Sequence, residues 1–248
     1  MEKSTYLDCL EHDYRRLREV AAGAWSSPVP SCPGWTMADL VRHVAEVYLH
    51  KTEIMRTGAA PEPWPPDLSG EDPVVALDRA YTGLVAELTA RKPDEPALTW
   101  YGPDQTVGFW VRRMAHETVI HRVDAELAAG VALAPIPEAL AVDGIDEVLV
   151  CFLSFASHTW LEYFTEQLTG AGGQTVIVES GDSRWSVRLT PEGVDVTPGG
   201  GAAEARISGS PTDVLLWLWR RAGDDAVRRD GDPSLVAQLH ALLGPATE

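Results

Sequence analysis

The stretch AHETVIHRVDAE, residues 115–126, concentrates groups that could do chemistry. The metalloprotease pattern His-Glu-x-x-His sets two histidines four residues apart on one helix face. Here His116 and His121 are five apart, about 140° around a helix, so they cannot chelate one ion together. Glu117 and His121 are four apart, about 40°, and can. Arg113 and Asp124 extend the same face. This polar stripe lies on a helix that should bury one side, and buried carboxylates and imidazoles need partners. A metal ion is one solution. An internal ladder, Arg113–Glu117–His121–Asp124, is the other.

A zinc site that keeps an open position uses three protein ligands. Another helix must supply the third. His43 lies among Leu40, Val44 and Val47 in mid-helix; His50 lies two turns on, near the helix end and followed by Lys51. The central position favours His43. Cys32 precedes the helix cap, with His43 about 10 Å of helix rise beyond that cap, and reads as a small packed residue in a turn. His116 faces away from the stripe and reads as a surface residue or a support behind the ligands. His12, His158 and His240 belong to no constellation.

These residues need helices to hold them. STYLDCLEHDYRRLREVAAG sets Leu7, Leu10, Tyr14, Leu17 and Val20 near a 3.6-residue period. After the turn VPSCPGW, a second helix opens with Thr36 and Asp39 in capping-box spacing and buries Leu40, Val44, Val47 and Ile54. A Pro-rich loop leads to a third helix, VVALDRAYTGLVAELTARK. The fourth runs from about Thr106 to Ala129 and stops at Gly130. Four helices joined by loops predict an up-down bundle, with PIPEALAVDGIDEVLVCFLSFASHTW as a bridging helix. Beyond TGAGG the pattern changes. QTVIVES, RWSVRLT, GVDVTP and AEARISG are short and alternating, as strands are. SPTDVLLWLWRRAG and PSLVAQLHALLG return to helix. The expected fold is therefore α plus α+β: a bundle with its bridge over 1–168 and a small α+β domain over 169–248. TPGGGAAEA leads into a strand, not a helix, and so is no phosphate loop.

The 248 residues suffice for one large or two modest domains. A net charge of −17 argues against nucleic-acid or anionic-membrane partners. The longest uncharged apolar stretch is too short to span a bilayer, and the N-terminal residues lack a signal peptide's apolar run. Three widely spaced cysteines, Cys9, Cys32 and Cys151, form neither a disulfide framework nor a CxxC site. A cytoplasmic location is expected.

VPSCPGWTMADLVRHV, TVGFWVRRMAHETVIHRVDAELAAG and AVDGIDEVL resemble the mycothiol-dependent maleylpyruvate isomerase family, a branch of the DinB-like superfamily. SGSPTDVLLWLWRRAGDDAVRRDGD resembles that family's second domain, which is similar to sterol-carrier-like folds. The resemblance implies a DinB-like bundle binding zinc, or another divalent metal, through His43, Glu117 and His121. It implies mycothiol, the low-molecular-weight thiol of actinobacteria, as the partner thiol and a small molecule as substrate. It also implies an arginine at the cleft. Family members typically read WLWGR where this chain reads WLWRR, which aligns Arg221 and leaves Arg220 in place of the glycine, so either arginine could face inward. The implied reaction is thiolate addition to maleylpyruvate, bond rotation and elimination to fumarylpyruvate. The same centre could instead transfer mycothiol to an electrophile. A non-catalytic lipid-binding role for the half containing Leu215, Trp217 and Trp219 is the third reading.

Overall fold

A computed structural model describes residues 1–247 in two compact units, one over 1–135 and one from 136 on. Four helices build the first: α1 (Lys3–Ala21), α2 (Met37–Thr57), α3 (Pro73–Ala90) and α4 (Val107–Ala129). The expected caps form. Thr36 accepts from the Asp39 amide while the Asp39 carboxylate takes the Thr36 amide, and Gly58 ends α2 in the left-handed region. Thr106 opens α4 by accepting from the Phe109 amide, and Gly130 closes it with φ 64°. Helix α1 packs on α4, and α2 packs on α3 and α4.

The buried stripe of α1 is rotated from the expected one. Tyr6, Cys9, Leu10, Asp13, Leu17 and Ala21 are buried, whereas Leu7, Tyr14 and Val20 are only half-buried. The reason is ionic: Asp13 turns inward to meet Arg122 of α4, with Oδ1 3.1 Å from Nε. Helix α4 is buried almost all round. Such a helix is normally apolar throughout. This one takes Arg113, His116, His121, Arg122, Asp124 and Glu126 into the interior, so its neighbours must satisfy them.

The second unit opens with α5 (Glu138–Glu147), continues through a π-helical stretch (Val148–Phe155) and ends that run in a short α6 (Ala156–Thr159). Its sheet comprises β1 (Thr175–Ser180), β2 (Ser183–Thr190), β3 (Gly193–Pro198), β4 (Ala205–Gly209) and β5 (Arg228–Gly231), in the order β3-β2-β1-β4-β5. Only β1 and β4 pair in parallel. Helices α7 (Pro211–Leu218) and α8 (Pro233–Thr247) complete the unit. The four expected strands are present. The fifth, Arg-Arg-Asp-Gly, is exposed at every residue; an edge strand of this kind has no alternation to read. It ends at Gly231, whose φ is 88° and where a Cβ would lie 2.2 Å from the Glu204 carbonyl, so only glycine fits.

The expected boundary at 168/169 falls inside this unit. Residues 136–168 belong with the sheet: α5 packs on α7, the π-helical stretch on β3 and α8, and Trp185 Nε1 donates to Asp146 at 3.0 Å. Apolar periodicity marks the bridge as helical and says nothing about which layer it covers. Among the described residues no helix is long and apolar enough to cross a membrane.

Candidate metal centre

The seam between α2 and α4 brings His43, Glu117 and His121 together. Glu117 Oε1 lies 3.5 Å from His43 Nε2 and 3.1 Å from His121 Nε2. One ligating atom from each residue falls within 4.8 Å of the others. Among the described residues this is the cluster of three His, Cys, Asp or Glu that could hold an ion. Tetrahedral zinc with bonds of about 2.0–2.1 Å separates its ligand atoms by about 3.3 Å. The two separations to Glu117 Oε1, 3.1 and 3.5 Å, are near that edge, the third pair lies within 4.8 Å, and two imidazoles with a carboxylate suit zinc's donor preference. The side chains of Glu117 and His121 are 13% and 11% exposed and that of His43 is 33% exposed, so the trio opens outward at His43.

Each ligand is held from behind. Asp124 Oδ2 lies 2.9 Å from His121 Nδ1. With the proton on Nδ1, the Nε2 lone pair points into the cluster, the tautomer a metal ligand needs. Asp124 in turn accepts from Ser31 Oγ, and Cys32 Sγ stands 3.9 Å from Oδ2. The turn before α2 therefore folds back onto α4, closer than the helix rise past the cap suggested. Cys32 is a contact of Asp124 and lies outside the trio. Arg113 pairs with Glu117 Oε2, leaving Oε1 for the two imidazoles. Trp35 lies against His43, ring centroids 4.8 Å apart.

Burial favours a protonated Glu117, yet His121 and Arg113 beside it hold its carboxyl well below the usual range. Burial likewise disfavours a charged His121, but Glu117 and Asp124 raise it from 6.5 to about 9. In the fold without metal, the two carboxylates beside His121 hold its imidazole protonated.

The other candidates separate. His50 lies farther along α2, T-shaped against Trp64 at 4.6 Å, and is not in the trio. His116 is not on the surface: it is 1% exposed and packs edge-on to Tyr6. Arg220 and Arg221 lie past the end of α7 in the second unit. The Arg220 amide bonds the Trp217 carbonyl at 3.0 Å and the Arg221 amide the Leu216 carbonyl at 2.7 Å. These bonds form a Schellman cap, in which the left-handed residue is usually glycine. Here it is Arg220, at φ 62°, a conformation costing a non-glycine residue about 1–2 kcal/mol. Arg221 Nη1 donates to the Trp219 carbonyl at 2.7 Å. Leu215, Trp217 and Trp219 are core residues; Trp217 stacks near His240 and donates to Asp224 at 3.0 Å.

Sequence reasoning missed Ser31 and Lys51. Lys51 Nζ sits 4.9 Å over the Trp110 ring and 3.0 Å from His50 Nδ1. A cation beside a histidine on a helix whose other face is apolar was the available signal.

Two family models cover most of the chain. The mycothiol maleylpyruvate isomerase N-terminal domain matches residues 7–126, and the C-terminal domain of the same family matches residues 139–238. Among solved structures, a histidine-to-alanine variant of the mycothiol-dependent maleylpyruvate isomerase aligns with a TM-score of 0.63 at 17% identity, over 94% of this chain and 95% of that one. The isomerase without that substitution aligns with a TM-score of 0.61 at 18% identity, over the same shares. At these identities the likeness speaks for the fold. A search of the curated proteins finds no match.

Proposed function

We propose that this chain, which belongs to the mycothiol maleylpyruvate isomerase family, is a zinc-dependent enzyme that uses mycothiol to isomerise maleylpyruvate or a closely related unsaturated acid. The observation that carries the reading is the trio His43, Glu117 and His121, with Glu117 Oε1 3.5 and 3.1 Å from the two imidazole nitrogens and Asp124 behind His121. A zinc ion held by His43, Glu117 and His121 would supply Lewis acidity that lowers the pKa of a thiol toward neutral.

The protein's own groups orient and balance that centre. Asp124 fixes the His121 tautomer, and Arg113 offsets the Glu117 charge. Cys9 and Cys151 are buried and Cys32 is engaged with Asp124, which favours an external thiol as nucleophile. The thiolate adds to the cis double bond, and the electron pair moves onto the conjugated carbonyl. The former double bond rotates, the pair returns, and the thiolate leaves from the trans product. We assign Arg221 to the substrate carboxylate or the developing enolate, for which a guanidinium fork is suited. A cytoplasmic location, where thiols stay reduced, accompanies this reading. The lipid-carrier reading loses its lining, since Leu215, Trp217 and Trp219 fill the second unit's core.

The test is zinc-loaded protein with maleylpyruvate and mycothiol, following product by proton NMR and free thiol by titration. Fumarylpyruvate should form only with both metal and thiol present, and the thiol should be regenerated. Untouched maleylpyruvate with mycothiol consumed by a model electrophile would identify a mycothiol S-transferase. Metal-loaded protein that does neither would contradict the enzymatic reading.

A further inference from the structure

Lys51 stands apart from the other cations of the α2–α4 seam. The two helices run antiparallel there: His43 faces Glu117 and His121, and two turns on Lys51 faces Trp110. Trp110 precedes Glu117 by seven residues, about 10 Å along the axis, with Arg113 between them. The ammonium is close enough for both Glu117 and Arg113 to act on its charge. Among the described residues, the ammonium sits over the Trp110 face and beside His50 Nδ1. Among the described residues no carboxylate lies within ion-pair distance of it. Yet the chain carries 37 acidic residues against 20 lysines and arginines, so a partly buried lysine without one is unexpected.

Its surroundings keep it available. Burial first and the Lys51 charge second hold His50 down at about 4, so its Nδ1 accepts one ammonium hydrogen and does not compete for an anion. The aromatic face of Trp110 takes the cation without neutralising it. An ammonium has three donors, which leaves donors for an incoming group. Burial brings Lys51 from 10.5 to about 8, the sign of a poorly solvated charge whose attraction for an anion is little screened.

We infer that Lys51, seated on Trp110 and His50, is a carboxylate-binding subsite beside the metal centre, where it anchors the far end of a dianionic substrate whose reactive carbons lie at the trio. The inference deepens the proposed function and rests on it for the reacting centre; anion capture itself needs no metal.

The experiment is calorimetric titration of maleate, its monomethyl ester and its dimethyl ester into metal-free and zinc-loaded protein, for wild type, Lys51→Met and Lys51→Arg. Metal-free wild type should bind maleate and not the dimethyl ester. Lys51→Met should weaken maleate at least tenfold in both forms, keep near-stoichiometric zinc and raise KM more than it lowers kcat. Lys51→Arg should recover most of the loss, and serves if the Met variant does not fold. Equal maleate affinity in Lys51→Met and wild type, or no maleate binding by wild type in either form, overturns the subsite. Failure of wild type to take up zinc would instead overturn the metal reading and leave the metal-free comparison standing.

Discussion

Helix α4 carries buried charge on two faces, and the two are built to different ends. Toward α1, Arg122 meets Asp13 at 3.1 Å and Glu126 at 2.7 Å, and Arg16 meets Glu126 at 2.8 Å. Two guanidinium groups answer two carboxylates, and Ala134 lends its carbonyl to Arg122 and its amide to Glu126. Toward α2, Glu117 meets Arg113 and lies between the imidazoles of His43 and His121, and Asp124 stands behind His121. The first cluster is closed by its own counter-charges. The second includes two imidazoles, which can take up a proton or bind a metal ion. One helix thus shows the difference between ionic groups that hold a bundle together and ionic groups that hold a cation.

The largest effect expected from this contrast is on the α1 side. Arg122→Met would leave Asp13 and part of Glu126 buried without their partner, a loss of about 3–5 kcal/mol in line with breaking other buried pairs. Urea unfolding of the metal-free protein measures it. Zinc content of the folded fraction should be unchanged. Loss of metal on this substitution would mean that the two faces are one network.

A smaller effect is expected on the α2 side, and it depends on pH. His121 titrates at about 9 in the metal-free fold, above its usual 6.5. A raised pKa in the folded state stabilises fully below the unfolded value and is lost as pH rises through the folded one. Metal-free protein should therefore lose about 2–3 kcal/mol between pH 6.5 and 9, counted once for the coupled Glu117–His121 pair. Urea midpoints across that range check it. In the zinc-loaded protein the step should vanish, because a ligating imidazole is already neutral. A flat profile without metal would mean that His121 is not the proton's seat.

How much of this was legible in the sequence follows from which periods were intact. Glu117 and His121 stand four apart on an unbroken helix, so their shared face could be read directly, and the Thr36–Asp39 box fixed where α2 begins. His43 was chosen over His50 by its mid-helix position alone, because the two histidines offered similar faces and only depth in the bundle separates them. Asp13 and Arg122 were missed because an inward aspartate hides beside an apolar stripe, and it drew that stripe around α1. Ser31 was missed and Cys32 was placed too far off because a turn's return path leaves no period. The strand at Arg228–Gly231 is four exposed residues whose pairing is fixed by backbone bonds to β4. The allegiance of residues 136–168 depended on which surface their apolar face covers, which periodicity does not encode.

The measurement that bears most directly on the metal centre is metal content by mass spectrometry. It would be made on protein purified without chelator, for wild type, His43→Ala, Glu117→Ala and His121→Ala. Near-stoichiometric zinc in wild type, lost in all three variants, is the expected result. Folded wild type that carries no metal and takes up no added zinc would contradict it, and would reduce the α2–α4 cluster to a buried polar ladder like the one facing α1.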